Sequence, residues 1–178
     1  MPILYDEAEH IFSTPKRLLA PLTWSSSSRN GNNQSSIDCR VQVDGTVIPR
    51  GVIFRIIAFP THLRTFTFQL ECERQDVRAH VTLYRLEVAP FRLHPNKMYG
   101  PNEINGRIFP AGETHEHDFH DSLTSEMKLR ASSCEQARAV PDAPHDFATA
   151  LARVCSRINI INGAIVPPPL AQGDLFES

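Results

Sequence analysis

Histidines are concentrated in one short polar segment, where they could bind a metal ion or transfer protons. His115 and His117 are separated by a single residue within the run 112–121. On a β-strand this spacing puts both imidazoles on the same face, which is a geometry that a divalent metal ion can use. Because imidazole titrates near neutral pH, the same pair could instead act as acid and base in RNA cleavage.

Other polar residues could join this pair only under certain conditions. His120 has the opposite parity unless the strand bends, and His94 and Asp118 could join only through tertiary folding. The third interpretation is a polar, hydrogen-bonded strand with a structural role, and on that interpretation we expect no catalytic residue, no metal and no cofactor. The sequence also lacks a Gly-rich phosphate loop, a nucleophile elbow and a paired-carboxylate motif.

The last residues of the sequence form a short motif behind a stiff segment. Three consecutive prolines, 167–169, favour an extended polyproline II path. They are followed by Gln172, Asp174, Leu175 and Phe176, with an unspecified glycine after the glutamine. The amide can donate and accept hydrogen bonds, and the adjacent Leu and Phe supply an apolar anchor for a partner.

This order of residues resembles the pentapeptide Gln-x-(Asp/Ser)-Leu-Phe, by which bacterial replication and repair proteins bind the sliding clamp of DNA polymerase III. The resemblance implies that Gln172 forms hydrogen bonds at the rim of a cleft on the clamp and that Leu175 and Phe176 fill its hydrophobic subsite. It covers five of the 178 residues. The alternative is a tail that packs on its own domain.

A second resemblance concerns the remainder of the chain. The segments 94–96 and 115–117 read His-Pro-Asn and His-Glu-His. They resemble small bacterial toxin families in which a His-x-(Asn/Pro) turn precedes a His-x-His strand.

Composition narrows the class of protein. With 41% hydrophobic and 21% charged residues, the chain is long enough for one domain with a sizeable core. Because the net charge is −2, we do not expect direct nucleic-acid binding, although seven arginines in the middle region could form a basic face. These are Arg50, Arg55, Arg64, Arg74, Arg78, Arg85 and Arg92.

The chain shows no feature of secretion or membrane insertion. Residues 1–12 are acidic and do not form a signal peptide, and no stretch of about 18 apolar residues could span a bilayer. We therefore expect a cytoplasmic protein with no membrane partner. The four cysteines are scattered, which predicts reduced and mostly buried thiols.

Periodicity predicts an α+β fold. We expect a helix over 6–20 with a break at Pro15, a flexible loop over 24–36, an extended loop over 93–106 and a helix over 142–160 with one apolar stripe. Period-two patterns and β-rich runs predict strands at 37–43, 52–59, 65–70, 77–88 and 107–109.

Short connections between these strands predict an antiparallel, strongly bent sheet of meander topology, with the N-terminal and C-terminal helices packed on it. Residues 1–163 would form a single α+β domain. Residues 164–178 would form a proline-stiffened tail that carries the clamp-binding motif.

Together these features resemble replication-blocking toxins of the SocAB toxin–antitoxin type. The resemblance implies two partners, the sliding clamp and an antitoxin that acts as a proteolytic adaptor. Occupying the clamp cleft would stall replication by competition with polymerase and clamp loader, without chemistry. The alternatives are a ribonuclease-type toxin or RNA-binding protein that uses His115 and His117, and a non-toxic repair or phage accessory factor recruited by the clamp.

Overall fold

The structure is a computed structural model that describes residues 3–29, 32–45, 51–62, 64–73, 80–129 and 134–169. Within these ranges the chain forms an α+β fold, in which a large antiparallel sheet of eight strands carries two helices. The predicted fold class is confirmed. No helix in the described ranges is long and apolar enough to cross a membrane.

The two helices are α1 (Tyr5–Ser13) and α2 (Phe147–Arg157). The strands of the large sheet are β1 (Lys16–Leu18), β2 (Ser25–Arg29), β3 (Asn32–Val43), β4 (Val52–Ala58), β5 (Phe66–Glu73), β6 (His80–Val88), β9 (His115–Asp118) and β10 (Ala137–Ala139). A separate two-stranded sheet contains β7 (His94–Pro95) and β8 (Ile108–Phe109).

The strand order of the large sheet is β1-β3-β4-β5-β6-β9-β10, with β2 also paired to β3. Strands β3 to β6 are connected in sequence as the predicted meander. Strand β9 then pairs with β6 after the chain has built the small sheet between them. Strands β7 and β8 therefore lie between β6 and β9 in the sequence.

The core lies between the sheet and the helices. Ala8, Ile11 and Phe12 form the buried side of α1, and Ala150, Leu151, Val154 and Cys155 form that of α2. They pack with alternate residues of the strands, as in β5, where Phe66, Phe68 and Leu70 are buried. The apolar stripes read from the sequence therefore face the core.

The first helix is shorter than predicted. It ends at Ser13, and Lys16 to Leu18 form an edge strand rather than a second helical turn. Leu18 is buried whereas Leu19 is exposed, which is the alternation of a strand and not the shared face of a helix. Strand pairing with β3 replaced the weak helical pattern that follows Pro15.

The predicted flexible loop over 24–36 was wrong. Ser25–Arg29 and Asn32–Val43 form an antiparallel hairpin in which Arg29 is opposite Asn32. The signal in the sequence was Asn30-Gly31, the dipeptide favoured by two-residue hairpin turns. Residues 25–36 contain no apolar side chain that would reveal a strand pattern. Across the hairpin, Ser25 hydrogen-bonds to Ser36 and Gln34 donates to Ser27.

β4, β5 and β8 agree with the predicted strands apart from their ends, whereas β7 lies in the predicted loop over 93–106 and β10 was not predicted. β5 extends to Glu73, three residues past the predicted strand, and β6 is described from His80. Residues 74–79, which include the predicted start of β6, lie outside the described residues. The terminal helix begins after its N-cap Asp146, whose side chain accepts a hydrogen bond from the Thr149 amide, and it ends at Arg157.

The prediction about the cysteine side chains is confirmed. Cys39, Cys72, Cys134 and Cys155 are all free and buried. Trp24 packs against the core, and its indole Nε1 donates to the carbonyl oxygens of Pro167 and Pro168 at 3.2 and 3.0 Å. The described contacts of the C-terminal segment with the body therefore continue to Pro168, beyond the predicted domain boundary at residue 163.

Candidate functional site

Four side chains from three strands converge on one point beside the large sheet. They are Glu87 of β6, His94 of β7 and the pair His115 and His117 of β9. One potential ligand atom from each residue lies within 4.8 Å of those from the other three. We call this group the His/Glu cluster.

Strand register explains how the chain assembles the cluster. In the β6–β9 pair, Glu87 is opposite His115 and Arg85 is opposite His117. Side chains at these paired positions share a face of the sheet, so the carboxylate and both imidazoles project to the same side. The prediction that His115 and His117 share a face is consistent with this register.

His94 reaches the cluster through the small sheet. It pairs with Phe109 across β7 and β8, and its ring centroid lies 4.6 Å from that of His117 and 5.3 Å from that of His115. The Phe109 ring lies 5.0 Å from His115 and is fully buried. The small sheet therefore supplies both one imidazole and an apolar wall.

Hydrogen bonds to carbonyl groups fix the tautomers of two imidazoles. His115 Nδ1 lies 2.8 Å from the Glu113 carbonyl oxygen, and His94 Nε2 lies 2.9 Å from the Glu135 carbonyl oxygen. A carbonyl can only accept, so these nitrogens carry the hydrogens. In the neutral form of each ring, the lone pair is on Nε2 of His115 and on Nδ1 of His94.

The carboxylate of Glu87 is the anionic centre of the cluster. Its Oε2 lies 2.8 Å from His115 Nε2 and 3.6 Å from His117 Nε2. Burial acts to raise its pKa, but the contacts with these imidazoles and the charge of Arg85 hold the pKa well below its usual range. Glu87 is therefore ionised at neutral pH.

Burial has the opposite consequence for the histidines. His117 has no exposed surface, and burial, followed by the nearby Arg85 charge, lowers its pKa to about 3. Burial also lowers the pKa of His94, although its hydrogen bond to the Glu135 carbonyl opposes that effect. Both rings are thus neutral at pH 7 and keep one lone pair each, which on His117 accepts a hydrogen bond from Arg85 Nη2.

Arg85 is the cation next to the cluster. Its Nη2 lies 3.1 Å from His117 Nε2 and donates to the Cys134 carbonyl at 3.4 Å, and its Nε lies 3.8 Å from Glu87 Oε1. Arg55 likewise pairs with Asp38 and Glu71. These two members of the suggested basic face are therefore matched by carboxylates, while Arg50, Arg74 and Arg78 lie outside the described residues.

Asp118 and His120 belong to a separate network on the other side of β9. His120 bridges Asp118 and Glu9 of α1, with its Nε2 2.6 Å from the Glu9 carboxylate. Arg157 of α2 donates to Asp118 at 2.5 Å. This network connects both helices to the sheet, so neither residue joins the His/Glu cluster.

The burial of the cluster limits its chemistry. An acid or base in RNA cleavage must come within hydrogen-bonding distance of the sugar–phosphate chain. His115 and His117 have no exposed surface, which weighs against their direct contact with a polymer. Three imidazoles and one carboxylate are instead a donor set typical of metal ions such as zinc.

A second feature is an apolar pocket of about 400 Å³ where the described chain ends. Phe59, Phe66 and Phe147 line it together with Pro169. The sequence-predicted clamp-binding residues Gln172, Asp174, Leu175 and Phe176 lie outside the described residues. The structure thus describes the residues that lead to the motif only as far as Pro169.

Comparisons with known proteins gave no match: no family model, no curated protein and no solved structure matches this sequence.

Proposed function

We propose that this protein is a cytoplasmic, toxin-like inhibitor of bacterial DNA replication that binds the sliding clamp through its QGDLF segment. The observation that carries the proposal is the match of Gln172, Asp174, Leu175 and Phe176 to every specified position of the clamp-binding pentapeptide. The cleft that receives such peptides is shared by polymerase and clamp loader. Occupancy would therefore inhibit elongation by competition.

The structure describes where the segment that precedes the motif contacts the body. Trp24 holds the carbonyls of Pro167 and Pro168, so the chain is attached to the body just before the motif. Pro169, Leu170 and Ala171 lie between this contact and Gln172. The motif could thus reach the sliding clamp from a fixed point on the body. The second proposed partner is an antitoxin that delivers the protein to a protease.

The energetics of the motif predict which residues matter. Burial of Leu175 and Phe176 contributes roughly 3 to 5 kcal/mol before ordering costs, and the hydrogen bonds of Gln172 add about 1 kcal/mol. Ordering the segment removes part of this gain, which gives an expected dissociation constant in the micromolar range. Oligomers with several tails would bind a ring with several clefts more tightly.

The test compares variants of the full chain for binding to purified bacterial sliding clamp and for growth inhibition in the same host. Leu175→Ala with Phe176→Ala should weaken binding by at least about 100-fold and abolish growth inhibition. Gln172→Ala should weaken both effects, and the matched control Gly173→Ala, at the unspecified position, should change neither.

The outcomes separate the proposal from its alternatives. A double variant that no longer binds the clamp but still arrests growth would exclude competition at the cleft as the mechanism. A wild-type chain that binds the clamp and leaves growth unaffected would identify an accessory factor instead. Equal melting temperatures of wild type and variants establish that the body remains folded.

A further inference from the structure

We propose that the His/Glu cluster binds one divalent transition-metal ion, best fitted by zinc, through Glu87, His94, His115 and His117, and that the ion attaches the β7–β8 sheet to the large sheet. The inference concerns the body and does not depend on clamp binding. It departs from the sequence-based expectation of a purely hydrogen-bonded strand without a metal.

The donor set and its spacing are the first argument. Tetrahedral zinc with bonds of about 2.1 Å separates its ligand atoms by about 3.4 Å. The corresponding atoms here all lie within 4.8 Å of one another, and the contact between His115 and Glu87 is 2.8 Å. Small side-chain rotations, including a shift of Arg85 away from His117 Nε2, would bring all four into bonding distance.

The hydrogen bonds behind the imidazoles are the second, independent argument. Metal-binding histidines commonly donate their other ring nitrogen to a carbonyl or carboxylate, which orients the ring. His115 does so to Glu113 and His94 does so to Glu135. Both rings thus have the tautomer that metal binding requires, on segments far apart in sequence.

The contact between His115 and Glu87 has two explanations. His115 Nε2 lies 2.8 Å from a carboxylate oxygen of Glu87. A hydrogen on Nε2 would make this contact a hydrogen bond within a buried imidazolium–carboxylate pair, whereas a metal ion would bind both atoms. Metal titration distinguishes the two.

Charge and coordination number indicate the kind of ion and its role. Glu87 contributes one negative charge, and Arg85 nearby contributes a positive one, so the site is not an acidic cluster for calcium or magnesium. Imidazole-rich sites suit zinc and its neighbours in the first transition row. Four protein ligands complete a tetrahedron, which is the pattern of structural sites.

The position of His94 determines what the ion would stabilise. His94 belongs to the small sheet, whereas Glu87, His115 and His117 belong to two adjacent strands of the large sheet. The small sheet has two residue pairs in register, His94–Phe109 and Pro95–Ile108, and the Asn96 amide extends it by donating to the Arg107 carbonyl at 2.8 Å. The Asn96 side chain also connects this segment to β10 through hydrogen bonds with Ala137. An ion at the cluster would add a further connection between the two sheets.

The test uses the full chain after chelator treatment, with Co²⁺ and Zn²⁺ as probes. Titration with Co²⁺ should produce the intense visible bands of a tetrahedral site and saturate at one equivalent, and Zn²⁺ should displace it. Zinc at about 100 times its dissociation constant should raise the melting temperature by about 5 to 10 °C. Hydrogen exchange in residues 94–109 should slow.

Variants distinguish the cluster from other histidines. His94→Gln, at the half-buried edge of the site, should lower metal affinity at least about 100-fold while the variant remains folded. His117→Gln should do the same. The matched control is His120→Gln, because His120 also lies between carboxylates next to β9 but outside the cluster, and it should bind metal as the wild type does.

Three results would overturn the proposal. If the wild-type protein binds well below one equivalent of Co²⁺ or Zn²⁺ and its melting temperature does not change, the cluster is an imidazolium–carboxylate pair. Full metal binding by His94→Gln would place the ion elsewhere. Zinc binding without slower exchange in residues 94–109 would refute the role of joining the sheets.

Discussion

Lys16 offers the sharpest test of how the body is held together. It is fully buried, and its Nζ lies 2.9 Å from the Phe12 carbonyl oxygen, 2.6 Å from that of Thr14 and 2.7 Å from that of Ile158. These carbonyls come from the C-terminal ends of α1 and α2. A cation at these ends also interacts favourably with both helix dipoles.

The change Lys16→Met keeps the apolar stem and removes the ammonium. Each carbonyl left without its partner costs about 1 to 3 kcal/mol, or about 6 kcal/mol for the three at a mid-range value. Burial lowers the pKa of Lys16 to about 8 from 10.5, so removing the charge returns about 3 kcal/mol. We expect a net loss of about 3 kcal/mol, which is a drop of about 6 to 12 °C in melting temperature.

The pH dependence gives an independent readout. Because the folded pKa of Lys16 is about 8 and its unfolded value is 10.5, the unfolded chain holds more protons between these limits. The free energy of unfolding of the wild type should therefore contain a contribution that rises with pH over this range, and Lys16→Met should lack it.

Urea denaturation from pH 7 to 10 measures both effects. The matched control is Arg17→Met in the same strand, because Arg17 is exposed and pairs with Asp44 at 3.8 Å, so its loss should change stability by less than about 0.5 kcal/mol. If Lys16→Met is within 1 kcal/mol of wild type at pH 7 and keeps the same slope, the reasoning about the three carbonyls is refuted.

Two further predictions concern the tail and His120. Deleting residues 171–178 should leave the melting temperature nearly unchanged, because the hydrogen bonds of Trp24 to Pro167 and Pro168 remain, and a drop of more than about 5 °C in calorimetry would show that the tail packs on the body. His120→Gln should remove a pH dependence: burial lowers the pKa of His120, but contacts with Asp118 and Glu9 raise it overall above 6.5. Its stabilising contribution is therefore complete below about pH 6.5 and lost as the pH rises through the folded pKa, so urea midpoints of wild type and variant should converge in alkaline buffer.

The sequence predicted the fold class through its side-chain periodicity. Alternation in 37–43 and the apolar stripe of α2 are local patterns, and each specifies one buried face wherever the element is placed. The errors came where local signals were weak or competed. Ser25–Arg29 became a strand because its backbone pairs with β3, and Lys16–Leu18 became a strand because the edge of β3 was available.

Only part of the candidate metal site could be predicted from local sequence patterns. The spacing of His115 and His117 indicated a shared face, since strand periodicity is a property of the chain itself. Nothing in the sequence selected Glu87. It lies opposite His115 because of the register between β6 and β9, and the two residues are 28 positions apart in the sequence.

The opposite assignments of His94 and His120 depended on tertiary structure alone. His94 lies 21 residues before His115 in the sequence, and the small sheet carries it into the cluster. His120 is three residues after His117, yet the turn after β9 directs it to Asp118 and α1. Proximity in sequence fixes which face of an element a side chain occupies, whereas strand pairing and helix packing decide which distant groups meet it there.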